Sequence, residues 1–165
     1  MMIKEKNDGA SVSKQETDLL RTNGINPETY EKYVDVFQAI DMPLVNSLPD
    51  WDSMFVQNTV SPEEEYKHFL PVAERYLSID DSILSEETGR DIVIKVKALL
   101  KRLFFQMEKY LFYEAEKRPV DAKASAQALK IVLGDILTET KKFNQLPAYQ
   151  AYRLHWKYKK NISRN

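Results

Sequence analysis

Apolar side chains recur along this chain at intervals of three and four residues, the period of a helix face. The first clear run is Tyr30, Tyr33, Val34, Phe37 and Ile40. Asn26-Pro27 opens it, with Asn as N-cap and Pro at the first helical position, where a missing N–H costs nothing. Upstream, Ser13-x-x-Glu16 has the form of a capping box for a short helix that stops at Asn23-Gly24. Residues 1–12 are polar and aperiodic, so the expectation there is a disordered N-terminus, with one helical domain over 13–165.

Residues 41–60 break the period at Pro43 and Pro49, and a helical turn from Asp50 would set Trp51 and Phe55 on one side. Ser61-Pro62-Glu63-Glu64 then opens a helix reading Tyr66, Phe69, Leu70, Ala73, Tyr76 and Leu77. Pro71 lies inside it, and the lost backbone hydrogen bond predicts a kink or a break there.

The longest element is expected from about 90 to 117, entered through a segment that starts near Ser85, frayed by Gly89 and closed by Pro119. Its polar residues form a narrow strip through Asp91, Lys95, Arg102, Lys109 and Glu116, while apolar residues fill more than half the circumference. Such a helix is central and covered on most sides. At 1.5 Å per residue it is about 42 Å long, the diameter of a domain this size. Its ends would project, and Phe105 and Phe112 fall toward the polar side. An antiparallel neighbour is expected over about 119–143, with a seam of Ala122, Ala126, Leu129, Leu133, Ile136 and Phe143. A basic C-terminal helix and tail occupy 146–165. The fold class that follows is all-α, an irregular bundle of five to seven helices.

Composition narrows the function classes. With 43% hydrophobic and 30% charged residues, the chain has a folded domain's balance. It has no cysteine, which excludes disulfides, thiolate zinc sites and cysteine nucleophiles. No apolar run approaches the roughly 20 residues that span a bilayer, and no apolar stretch follows Lys4 and Lys6, so a cytoplasmic protein without membrane partners is expected. The charge is unevenly spread. Residues 1–140 hold 25 acids against 17 bases, a net of −8, and the last 25 residues carry +7.

That polarity singles out the C-terminal helix. Arg153, Lys157, Lys160 and Arg164 form one basic stripe, flanked by Tyr149, Tyr152 and Trp156. Cations beside aromatic rings suit phosphate neutralisation and base stacking. They equally suit an amphipathic helix whose rings pack inward while its charges face the acidic body. A second candidate is the Met42 to Val56 segment, where Trp51 and Phe55 would serve as an adaptable interaction loop or as a lid over the core.

Catalytic chemistry lacks its parts. Glu65-x-x-His68 has the spacing of a carboxylate-bridged metal bundle, but that site needs a second such pair, and His155 has Tyr152 at the matching position. Neither His68 nor His155 is marked as a base beside a serine, and no glycine-rich phosphate loop occurs. A helix-turn-helix over Leu19 to Ile40 would offer DNA an acidic helix. The chain therefore reads as a non-enzymatic protein-interaction or regulatory module of adaptor or inhibitor type. It needs no cofactor or metal, and its partner is a protein or a second copy. The alternative is nucleic-acid binding through the C-terminal helix.

Overall fold

In a computed structural model, the described residues are 34–39 and 44–153, together with Asp18 and Arg21. They are all-helical, without strands. The polar N-terminus, the Ser13 capping box, the Asn26-Pro27 start, and the C-terminal Trp156, Lys157, Lys160 and Arg164 lie outside them.

Among the described residues the α-helices with full bounds are, in order, α1 (Val34–Ala39), α2 (Val45–Ser47), α3 (Trp51–Phe55), α4 (Pro62–Leu77), α5 (Arg90–Ala115) and α6 (Pro119–Lys141). The chain is helical again over 147–153. The antiparallel hairpin of α5 and α6 is the largest packing unit, and α4 and two short 3-10 turns cover another side of α5. α1 and α2 pack on α4, and α3 packs on α6.

Each element starts where its sequence allows. The Ser61 hydroxyl accepts from the Glu64 N–H at 3.4 Å, and Pro62 takes the first position of α4. Tyr66, Phe69, Ala73 and Tyr76 form the buried face of that helix. No break occurs at Pro71. The helix runs through it because Pro71 stands on the exposed side, where the Lys67 carbonyl deprived of its donor faces water.

Gly89 does more than fray a helix. Ser85 leads into a 3-10 turn over Glu86–Thr88, and its N–H donates to Thr88 Oγ1 at 2.8 Å. Gly89 then adopts φ +89°, and α5 begins one residue later. A Cβ at Gly89 would lie 2.5 Å from Phe143 Cε1, so the absent side chain lets the Phe143 ring, just past α6, press on the start of α5. At the other end, α5 stops at Ala115, two residues short of expectation. Lys117 takes φ +57°, its N–H bonds Glu114 O, and the Arg118 N–H bonds Tyr113 O at 2.9 Å. This is a Schellman ending with lysine where glycine is usual. A three-residue connection then forces α6 back along α5.

The expected seam of α6 is buried throughout: Ala122, Ala126, Leu129, Leu133, Ile136 and Phe143 all face inward. On α5 the buried set is Val93, Val96, Leu99, Leu100, Leu103 and Met107. Full burial ends at Met107, so α5 is central along its first two thirds and half-covered or exposed beyond, contrary to the expectation of cover on most sides. Tyr149 and Tyr152 close one end of the core against Phe37, with ring centroids 5.4 and 5.7 Å away.

Two sets of measurements check this account. Gly89→Ala combines a left-handed backbone with a clash on Phe143 and should cost about 2–4 kcal/mol in urea unfolding. Lys117→Gly relieves the same kind of backbone strain without touching the core and should stabilise by about 0.5–1 kcal/mol.

The second concerns alkali. Burial, the hydrogen bond to Glu108 and that carboxylate's charge raise the Tyr66 hydroxyl above its ordinary value of 10.0. Burial raises Tyr76 as well, and burial together with Glu114 raises Tyr110. A phenol that ionises less readily when folded contributes its full stability below pH 10 and loses it as the pH climbs further. Unfolding followed by circular dichroism should therefore set in above about pH 10 and coincide with the rise of phenolate absorbance.

Candidate interaction surfaces

Three surfaces deserve comparison, beginning with Trp51 and Phe55. The extended residue Asp50 precedes α3, and its carboxylate accepts from the Ser53 hydroxyl at 2.7 Å. Trp51 then lies along α6, where its indole Nε1 donates to the Ala126 carbonyl at 2.7 Å. The Lys130 ammonium sits 4.6 Å from the Trp51 ring centroid. Phe55 meets Trp51 at 5.4 Å and the edge of Tyr110 at 5.0 Å. With Leu44 and Met54 fully inside, the segment lies down on the bundle and the two rings are half-buried. Beside them is a cleft of about 310 Å³ lined by Trp51, Phe55, Tyr110, Glu114, Ala122 and Lys123.

The second surface is the C-terminal stripe. Tyr149 and Tyr152 are buried among Phe37 and Phe143, so neither ring is presented for stacking on a base. Arg153 is exposed, with its guanidinium 5.9 Å from the Tyr149 centroid. Trp156, Lys157, Lys160 and Arg164 fall outside the described residues.

The third surface is the outer side of the α5–α6 hairpin. On α5, Ile94, Phe105 and Phe112 are 47%, 59% and 55% exposed. Their spacings of 11 and 7 residues return to nearly the same angle after whole turns of a 3.6-residue helix. They therefore mark the centre of the exposed face, opposite Leu103 and Val96. The Lys109 ammonium lies 5.0 Å over the Phe105 ring. On α6, Val120 and Ile131 are 80% and 66% exposed and again 11 residues apart. Between the helices runs an open groove of about 350 Å³ lined by Lys95, Ala98, Leu99, Arg102, Asp135 and Glu139. Glu139 receives Lys142 at 2.6 Å and Lys95 at 3.9 Å across the seam.

The periodicity places Phe105 and Phe112 near the polar strip, but it does not single out Ile94, Val120 and Ile131. The signal was available in the 11-residue intervals. It was masked because α5 carries so many apolar residues that three more did not stand out.

Metal chemistry finds no foothold among the described residues, where no cluster of three or more His, Asp or Glu side chains forms. His68 is exposed on α4, and Glu65 is half-buried. Among the described residues no helix is long and apolar enough to cross a membrane. The chain matches no family model, no curated protein and no solved structure.

The Trp51 anchorage can be tested directly. Trp51→Phe keeps a ring in place but removes the indole donor and weakens the Lys130 contact. It should cost about 1–2 kcal/mol in urea unfolding, and Lys130→Ala about half that or less.

Proposed function

We propose that this protein is a non-enzymatic protein-interaction module and that the outer face of the α5–α6 hairpin is its docking surface. The observation that carries the reading is the position of Ile94, Phe105 and Phe112. A helix that only needs solubility keeps charge at the middle of its wet face, and apolar residues scattered singly need no explanation. Here two phenylalanines and an isoleucine share one line on a helix whose opposite side already builds the core. Phenylalanine is enriched at the centres of interfaces, ringed by polar groups that complete the seal. Lys101, Arg102, Glu108 and Lys109 supply such a rim.

This surface is fixed before any partner arrives. α5 is held by α6 along its length and by α4 on another side, so docking has little backbone ordering to offset. The cytoplasmic assignment and the adaptor or inhibitor role belong to the same proposal and rest on the sequence.

The test is a photo-crosslinking amino acid at position 105 or 112, compared with the same group at Lys67 on the exposed side of α4. In cells making the protein, positions 105 and 112 should yield discrete adducts heavier than the monomer, and position 67 should not. Phe112→Glu should abolish the adduct from position 105 while shifting unfolding stability by no more than about 0.5 kcal/mol, as expected for an exposed site. A face that gives no adduct above the Lys67 control would overturn the reading.

A further inference from the structure

We infer that the occupant of this face is a second copy of the chain, packed antiparallel about a two-fold axis to form a four-helix layer. The inference rests on the docking surface proposed above and adds the identity of what covers it.

Charge supplies the first argument. The exposed charges on the leading half of α5 are Arg90, Asp91, Lys95, Lys101 and Arg102, a net of +3. Those on the trailing half and its cap are Glu108, Glu114, Glu116 and Lys117, a net of −2. A parallel copy would set the basic halves against each other. An antiparallel copy sets each basic half against the acid-bearing half of its neighbour.

Register supplies the second. With the axis near residue 103, Ile94 faces Phe112 of the other copy and Lys101 faces the Phe105 ring. Arg90 then comes opposite Glu116, and Lys101 and Arg102 come within reach of Glu108. The Tyr66 hydroxyl donates to one Glu108 oxygen at 2.8 Å, which leaves the other oxygen available.

The hairpin makes this axis consistent across both helices. Lys95 pairs with Glu139, and Arg102 shares the groove with Asp135, so residue 103 stands beside about residue 132 on α6. The same two-fold therefore passes close to Ile131, whose apolar side chain would meet its own copy. One axis thus pairs the exposed apolar residues of α5 and Ile131 of α6 without burying any of these charges unopposed.

Area agrees as well. Two helices side by side, 26 and 23 residues long, present a face about 39 Å by 20 Å. That is roughly 800 Å², about what each partner contributes to a stable interface.

A chain without native cysteine permits a direct test of both occupant and register. Ile131→Cys should form a disulfide-linked dimer by itself under mild oxidation. Ile94→Cys and Phe112→Cys should not do so alone but should cross-link when the two variants are mixed. Phe105→Glu should weaken self-association in sedimentation equilibrium by at least about tenfold. Strict monomers up to about 100 μM would overturn the inference, since that is far above the Kd of a stable dimer. So would self-linkage at 94 with none at 131, which marks a parallel pair. Photo-adducts from position 105 at the mass of a different protein, or at the mass of a single chain linked to itself, would also overturn it. The first of these leaves the docking surface standing, whereas the absence of any intermolecular adduct removes both.

Discussion

The close antiparallel approach of α5 and α6 governs where everything else in this protein can sit. Ala122, Ser125 and Ala126 are small and buried, and Leu129, Val132, Leu133 and Ile136 continue the same line with larger volumes. Each fully buried branched side chain contributes about 1.5–3 kcal/mol relative to exposure, so the seam is among the largest sources of stability in the described chain. Its geometry is clamped at both ends. The Schellman ending at Lys117 reverses the chain, and Gly89 admits the Phe143 ring where the returning chain arrives.

Once the hairpin is set, one side remains for the rest of the core. α4 takes it with Tyr66, Phe69, Ala73 and Tyr76, and α1 brings Phe37 into the aromatic end formed with Phe143, Tyr149 and Tyr152. The Lys97 ammonium ties the hairpin to the chain that follows α4 through the Ile79 carbonyl and the Asp81 carboxylate. None of these elements reaches the outer side of the hairpin among the described residues. Its apolar line is therefore a consequence of architecture: two helices paired with each other and covered on one face leave their other faces to solvent or to a partner. Ile94, Phe105 and Phe112 are on that other face, and their chemistry favours a partner.

The C-terminal stripe shows how tertiary structure redistributes a pattern that looks uniform in one dimension. Tyr149 and Tyr152 flank Arg153 in sequence, as a stacking surface would require. In three dimensions the two rings turn away into the core while Arg153 stays outside. Rings and cations of one amphipathic helix separate because burying a tyrosine ring stabilises and burying a guanidinium does not. The remaining stripe residues carry a charge contrast with the acidic body that the sequence displays without any structure.

Helix period, proline and glycine punctuation, and the Ser61 cap determined the class of fold, the antiparallel pair and the seam residues, because these depend on spacing along one helix at a time. The same local signals allowed for a break at Pro71 that does not occur, because the cost of a proline depends on which side of α4 faces water. They also overestimated how far α5 is covered, since an apolar side chain states only that burial would be favourable. Whether a neighbour exists to provide that burial is decided by the path of other segments. Phe105 and Leu103 are equally apolar to a reader of the sequence. The helical period sets Phe105 toward the polar strip, but only the packing of α4 and α6 buries Leu103 and leaves Phe105 at the centre of a surface.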